Sequence, residues 1–473
     1  MQMMKKLLAL IASTLLGHAV AADYAVVVSQ KTMANPGWKG VVEALQKKHQ
    51  AEVIVYTQTV SEAQGRLQTL FPRYACFVAQ PEESGRVFVA SVHQLTRSLD
   101  PDPYTDCFWG IVTGYDAAAA LRVAETTAPL TVHKVASGTA IALDRCEEGI
   151  CYDELVKGKV VRKEKGEQPV ESKGPDDTTA ALAATLTEYQ ADLFITSGHA
   201  TERDWQIGYR YRNGTFRCAD GKLYGLDTQK EKHPIQSPNP KVYMPVGNCL
   251  MGHIDGKDAM AIAWMNSGGV RQMFGYTVPS WYGYAGWGCL DYFLEQPGRY
   301  TFCEAFFANE QALIYRLQRC VPGAEKAELD SQGQIQASFP LSAWAQAEQL
   351  NEQDVAGLAY DRDTLAFYGD PAWIARMAPG PLAWQQALTE KDGVWTFTIQ
   401  PAAGEKSFAP INTNGSQRGY RPFIAFLPRR VSTPKVLEGA DLQPVITRNF
   451  ILVPNPKVCD PFRTYRVTFR AGA

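Results

Sequence analysis

Two apolar patterns alternate along the chain from residue 24 to residue 276, and this alternation limits the fold more than any other feature. Short uninterrupted runs such as Ala25-Val26-Val27-Val28, Val53-Ile54-Val55-Tyr56, Cys76-Phe77-Val78, Val87-Phe88-Val89 and Ile111-Val112 read as strands. Between them the apolar residues share one helical face: Val41, Val42 and Leu45, then Leu67, Leu70 and Phe71, then an alanine-rich stretch over 116–125. A strand that is apolar on both faces must be covered on both faces, as in a mainly parallel sheet with crossover helices. The pattern resumes with a helix over 177–190, capped by Asp177, and a strand over 192–196. A strand over 242–246 and a helix over 259–266 follow. Ser267-Gly268-Gly269 stops that helix ahead of a strand over 270–276, and 301–318 reads as a long helix.

From about residue 391 the apolar period becomes two. Trp395, Phe397 and Ile399 alternate with polar residues, as do Tyr465, Val467 and Phe469, with further strands at 423–426 and 450–453. Such strands, separated by Pro, Gly and Asn, predict a small β-sandwich. The 473 residues suit about three domains at ~150 residues each. The expected division is an N-terminal α/β unit over 23–135, a second α/β unit over 136–385 and a β-sandwich over 390–473. Residues 157–176, with Lys157, Lys159, Arg162, Lys163 and Lys165, read as an exposed basic loop, the kind of segment at which a zymogen can be cut.

Residues 1–22 read as a bacterial secretory signal peptide. Lys5 and Lys6 precede an apolar stretch over 7–17, and Ala19-Val20-Ala21 is a small-x-small cleavage signal. The stretch falls short of the ~20 residues that span a bilayer, so the expectation is a secreted or periplasmic protein without a stable membrane span. With 47 basic against 49 acidic residues the chain carries no footprint for nucleic acid. Export into an oxidising compartment makes the ten cysteines candidates for disulfides, and Cys146 and Cys151 are spaced to close a small loop. A nucleophilic cysteine would have to stay unpaired. Nine would then remain, so at least one more would be free.

The chemistry sits at two strand ends. The strand at 192–196 runs into Ser197-Gly198-His199, and the strand at 242–246 into Gly247-Asn248-Cys249. Open α/β sheets bind ligands beyond the carboxyl ends of their strands. A thiol attacks at neutral pH when its pKa is low or a base is near, and an imidazole serves as that base or as the acid that protonates a leaving amine.

The local sequences resemble known ones. Ser197-Gly198-His199-Ala200-Thr201-Glu202-Arg203-Asp204-Trp205 is similar to the histidine block of the gingipain-type cysteine peptidases, which share a broad group with caspases, legumain and clostripain. Gly247-Asn248-Cys249-Leu250-Met251-Gly252 resembles their cysteine block. The strand into Pro279-Ser280-Trp281 and the element Phe367-Tyr368-Gly369-Asp370-Pro371 resemble two further family segments. The resemblance implies a caspase- and gingipain-like three-layer α/β sandwich in two subdomains, followed by an immunoglobulin-like β-sandwich. It implies a secreted cysteine endopeptidase acting on protein or peptide substrates through an acyl-enzyme. Cys249 would be the nucleophile and His199 its acid/base partner. The backbone N–H groups of Ala200 and Cys249 would face the oxyanion. Glu202 would orient His199, and Trp281 would line the pocket for the residue before the scissile bond. No cofactor is required, and a structural calcium ion is compatible with the family, although no EF-hand loop is present. Gingipains read Arg or Lys with an acid. Asp144, Glu147, Glu148 and Asp153, on an expected helix, are candidates here. The family usually has Gly where this chain has Ala200, which would strain the backbone by about 1–2 kcal/mol if that position required a positive φ.

Two other readings use the same residues. One is a catalytically inactive gingipain-fold protein kept as a secreted binding or scaffold module. The other is a zinc hydrolase built from Cys249, His253 and Asp255 with Cys218 and His233 nearby, although no HExxH or paired CxxC motif occurs. No Gly-x-Ser-x-Gly elbow supports a serine hydrolase. The aromatic cluster Trp281, Tyr282, Tyr284 and Trp287 suits a peptide-binding wall and a core equally.

Overall fold

One twelve-stranded sheet organises residues 24–368 in the computed structural model, which describes residues 23–327 and 340–472. The leader expected over 1–22 lies outside the described residues. In chain order the strands are β1 (Tyr24–Ser29), β2 (Glu52–Tyr56), β3 (Tyr74–Val78), β4 (Phe108–Val112), β5 (Lys134–Ser137), β6 (Glu148–Tyr152), β7 (Lys159–Lys163), β8 (Val170–Lys173), β9 (Leu193–Thr196), β10 (Lys241–Pro245), β11 (Val270–Tyr276) and β12 (Leu365–Tyr368). They lie side by side in the order β2-β1-β3-β4-β12-β11-β10-β9-β5-β6-β7-β8. The strands from β2 to β12 are parallel to one another, and so are those from β11 to β6. The two sets meet antiparallel at β11 and β12, with Met273 opposite Tyr368 and Tyr276 opposite Leu365. The carboxyl ends of β9 and β10 therefore lie on the same edge of the sheet as the amino ends of β3 and β4.

Both faces of the sheet are covered, as its apolar strands require. In β1, Ala25 and Val27 join one core while Tyr24, Val26 and Val28 join another. The second core holds Trp38, Val41, Val42 and Leu45 of helix α1 (Pro36–His49). The first includes Leu67 of α2 (Gln64–Leu70) together with Val89, Val92 and Leu95 of α3 (Arg86–Thr96). Residues 87–89 are thus helix, not the expected strand. Three apolar residues carry no period by themselves, and the buried positions 89, 92, 93, 95 and 96 show the helical one. Further helices are α4 (Ala117–Ala124), α5 (Thr179–Thr187), α6 (Met260–Asn266), α7 (Tyr284–Phe293) and α8 (Phe302–Cys320). Helix α5 is shorter than expected and its N-cap is Thr178, although Asp177 Oδ1 still accepts the N–H of Thr179 at 3.0 Å.

Four other expectations change. The basic loop over 157–176 contains a hairpin, β7 and β8, that extends the sheet at one edge with every side chain of β8 exposed. Residues 144–153 form a single 3₁₀ turn and the buried strand β6, not a helix, because Ile150, Cys151 and Tyr152 are needed on the sheet. All ten cysteines are free thiols, Cys146 and Cys151 included. The expected division at 135/136 falls inside β5, which pairs with β9 and β6.

The C-terminal part forms two antiparallel sheets. One contains β13 (Trp384–Lys391), β14 (Val394–Pro401), β16 (Ser432–Glu438) and β19 (Tyr465–Gly472). The other contains β15 (Phe423–Phe426), β17 (Val445–Ile446) and β18 (Phe450–Val453). Trp395, Phe397 and Ile399 meet Phe423, Ile451, Val453, Val467 and Phe469 in one core, as the period-two pattern requires. The first strand begins at Trp384, ahead of the expected start at 390. No helix among the described residues is long and apolar enough to cross a membrane.

Candidate active site

Strands β9 and β10 pair in parallel register, Leu193 with Val242 through Thr196 with Pro245, and run out together at the sheet edge. The chain leaves β9 sharply because Gly198 adopts φ 93°, a region that side chains rarely enter. The two exits are tied by Asn248, which is fully buried. Its Nδ2 donates to the carbonyl of Gly198 at 3.0 Å, and its Oδ1 accepts from Thr196 Oγ1 at 2.6 Å. Just after Cys249, Leu250 is held at φ 56°, uncommon for a leucine, with its N–H on Val278 O at 3.1 Å.

On the histidine side the chain folds back at once. Gln206 N–H donates to His199 O at 2.9 Å and Thr201 N–H to Asp204 O at 2.8 Å, which flank the pairing of Ala200 with Trp205. That pairing is the non-hydrogen-bonded kind, so the N–H of Ala200 points away from Trp205. Trp205 is buried and its Nε1 donates to Ser197 O at 2.8 Å, which fixes the turn from below. Ala200 lies outside the left-handed region, so the expected strain does not arise; Gly198 carries the positive φ. Among the described residues, the N–H groups of Ala200 and Cys249 have no acceptor.

Cys249 and His199 line one cavity of about 480 Å³. The sulfur of Cys249 accepts the N–H of Ser280 at 3.2 Å, and the exposed His199 ring stacks on Tyr209 with centroids 4.9 Å apart. No hydrogen bond joins the sulfur to the imidazole among the described residues. Trp281, 43% exposed, lines the cavity and leans on Tyr360. The aromatic cluster divides between the two expected roles: Trp281 and Trp287 line the cavity, while Tyr282 and Tyr284 are buried outside its lining.

Glu202 does not line the cavity, and its side chain has no hydrogen bond to His199; its backbone carbonyl accepts Met260 N–H at 2.8 Å. Asp144, Glu147, Glu148 and Asp153 do not line it either. Glu147 pairs with His133 and Lys165, and Asp153 accepts the N–H groups of Leu155 and Val156. The zinc set is not assembled. Asp255 forms a bidentate pair with Arg203, at 2.8 and 2.7 Å, and His233 pairs with Asp227. Among the described residues, His, Cys, Asp or Glu side chains converge in threes only as Asp227, Glu231 and His233, and as Asp100, Asp102 and Asp106; neither group includes Cys249 or His253.

Sequence reasoning missed two contributors. Glu154, 5% exposed, lines the cavity, and its carboxylate accepts Thr139 Oγ1 at 2.6 Å, Ala140 N–H at 2.9 Å and Asn414 Nδ2 at 3.1 Å. It has no ion-pair partner among the described residues; Arg210 lines the same cavity as an exposed residue. The second contributor comes from the C-terminal part: Asn414, Gly415 and Ser416, in the loop before β15, form one wall. Gly415 lies so close to Trp287 that a Cβ would sit 2.3 Å from the ring. Arg418 pins this loop, bonding Asn414 O at 2.6 Å and Asp291 of α7 at 2.6 Å while pairing with Glu295. No local pattern marks either contributor, because both reach the site through tertiary contact.

No protein-family model and no curated protein matches the sequence. Among solved structures, the fold is similar to that of the Arg-specific cysteine proteinase gingipain R (TM-score 0.42, 11% identity, 92% of each chain covered). It is likewise similar to the complex of the pro- and mature domains of RgpB from Porphyromonas gingivalis, at TM-score 0.41 and 11% identity, covering 91% of this chain and 93% of that one.

Proposed function

We propose that this protein is a cysteine peptidase whose nucleophile is Cys249 and whose acid/base group is His199. The observation that carries the reading is their placement at the exits of two adjacent parallel strands, on one cavity, with two unengaged backbone N–H groups beside them. The thiolate of Cys249 adds to the scissile carbonyl carbon, and the N–H groups of Cys249 and Ala200 receive the negative oxygen. Collapse of the adduct breaks the C–N bond, and His199 gives the leaving nitrogen its proton. Water then attacks the thioester, returning the thiol and releasing the acid. Both reacting groups belong to the chain, so the reaction asks for no cofactor. Glu154 gives the cavity a buried carboxylate that a Lys or Arg side chain before the scissile bond would pair with. The leader over 1–22 fits an exported enzyme, which N-terminal sequencing of the protein from culture tests.

The direct test is labelling with a peptide acyloxymethyl ketone, with the adduct mapped by mass spectrometry. Labelling at Cys249 is expected, lost in Cys249→Ala and slowed roughly 10²–10⁴-fold in His199→Ala. Reaction at Cys249 no faster than with free cysteine overturns the reading in favour of a non-catalytic binding protein.

A further inference from the structure

A second cavity, of about 390 Å³, lies where three parts of the chain meet: the segments before β3 and β4, the middle of α8, and the residues that end and follow β15. Its apolar wall is aromatic, formed by Phe71, Phe108, Phe307 and Phe426. Phe108 meets Phe307 and Phe426 edge-on, with centroids 5.4 and 4.8 Å apart. Phe71 is held at φ 45°, an outlier for a bulky residue, under the guanidinium of Arg430 at 3.6 Å.

Two cations line this cavity without an acidic partner among the described residues. Arg73 Nη1 donates to the carbonyls of Leu427 at 2.9 Å and Pro428 at 3.3 Å. Arg430 Nη2 donates to the carbonyls of Pro72 at 2.6 Å and Asp106 at 3.0 Å, while its Nη1 is buried with no acceptor among the described residues. A buried guanidinium nitrogen left unbonded is costly, and a ligand oxygen would relieve that cost. The Asp106 side chain also lines the cavity, but it accepts the N–H groups of Leu99 and Asp100. Burial, reinforced by Asp100 and Asp102, pushes its carboxyl up to about 8, and the exposed Asp23, the other acid of the lining, forms an ion pair with neither arginine among the described residues. The size suits a small molecule, and an apolar lining with a few convergent polar groups is the usual make-up of a ligand site.

We propose that this cavity binds a small amphipathic carboxylate, an aromatic or short-chain acyl acid. Its carboxylate is held by Arg73 and Arg430, and its apolar body packs against Phe71, Phe108, Phe307 and Phe426. Guanidinium forks match a carboxylate in shape as well as charge. None of these residues lines the Cys249 cavity, so the inference stands apart from the peptidase reading.

Calorimetric titration of the purified protein with 4-phenylbutyrate and with 4-phenylbutan-1-ol tests it. The acid is expected to bind saturably at one site, about tenfold or more tighter than the alcohol. Arg73→Met and Arg430→Met should each remove that advantage, and Cys249→Ala should bind as the wild type does. If Arg430→Met does not fold, the wild-type comparison and Arg73→Met decide. No saturable binding of the acid, equal binding of acid and alcohol, or an advantage that survives Arg73→Met overturns the proposal.

Discussion

Asn248 is the residue on which the geometry of the site turns. It touches neither the sulfur nor the imidazole in any hydrogen bond, yet from the β10 exit, where it sits, its amide bonds the β9 exit twice, at Gly198 O and at Thr196 Oγ1. Replacing it with Ala removes this partner from the Gly198 carbonyl, leaves the Thr196 hydroxyl with Tyr243 Oη alone, and lets the Cys249 and His199 turns drift apart. A misplacement of about 1 Å costs on the order of 10²-fold in rate. Asn248→Ala is therefore expected to lower kcat by that order, with KM much less affected, in steady-state peptide hydrolysis. Glu154 acts differently, on what the cavity accepts. Glu154→Gln keeps the shape and removes the charge. In a panel varying the residue before the scissile bond, wild type should prefer Lys or Arg, and the variant should lose that preference while still cleaving.

Among elements, the loop between β14 and β15 has the largest consequence. It leaves the C-terminal sheets, sets Gly415 against Trp287 and Asn414 against Glu154, and returns through Arg418 and Arg421, both buried against Asp291 of α7. The C-terminal part thus builds a wall of the candidate active site. Removing one partner of a buried charge cluster leaves the others uncompensated, at a cost of roughly 3–5 kcal/mol. Arg418→Met should destabilise by that order in denaturant unfolding and should also raise KM, because the loop loses its anchor. A drop in stability with KM unchanged would show that the loop only packs against the cleft. Helix α3 makes a separate point about elements. Residues 87–89 are strand-like by composition, and only the longer spacing of Val89, Val92 and Leu95 on the core reveals the helix.

For the whole molecule, buried carboxyls set the response to pH. Burial would raise the Asp370 carboxyl, but His49 Nε2 at 2.7 Å and Lys48 Nζ at 2.8 Å outweigh it and hold the group at about 2. Asp370 also accepts Tyr24 Oη at 2.8 Å, so it ties the segment after β12 to β1 and α1. Its contribution is present above the unfolded value of ~3.9 and is lost as pH falls through about 2. Asp361 and Asp106 work the other way. Burial pushes them up to about 7 and about 8, so their contribution is full below ~3.9 and is lost as pH rises through those values. Thermal unfolding followed from pH 2 to 9 in wild type and in variants of Asp370 and Asp361 reads each contribution as a pH-dependent difference in Tm. Asp370→Asn should be less stable than wild type above pH ~4 and approach it as pH falls towards 2, and Asp361→Asn should gain on wild type as pH rises from ~4 to 7.

The one-dimensional pattern reached a long way. Apolar runs placed β1, β3, β4, β9, β10 and β11, because a strand covered on both faces leaves no choice of residue along it, and they also placed β2, an edge strand with Val55 exposed. The period of two placed β14 and β19 for the same reason in reverse. The segments ending in His199 and Cys249 were legible because both follow a strand whose end can be read. What the sequence could not carry is the pairing of distant segments. That the two parallel halves of the sheet run in opposite directions depends on β12 lying against β11, about ninety residues earlier in the chain. Glu154 enters the site only because β6 pairs with β5, and Asn414 only because the C-terminal sheets dock on α7. Local residue spacing decides which face of an element is apolar. Which elements share that face is decided by long-range packing, and that is where the cavity walls, the buried ion pairs and the arginine-lined cavity come from.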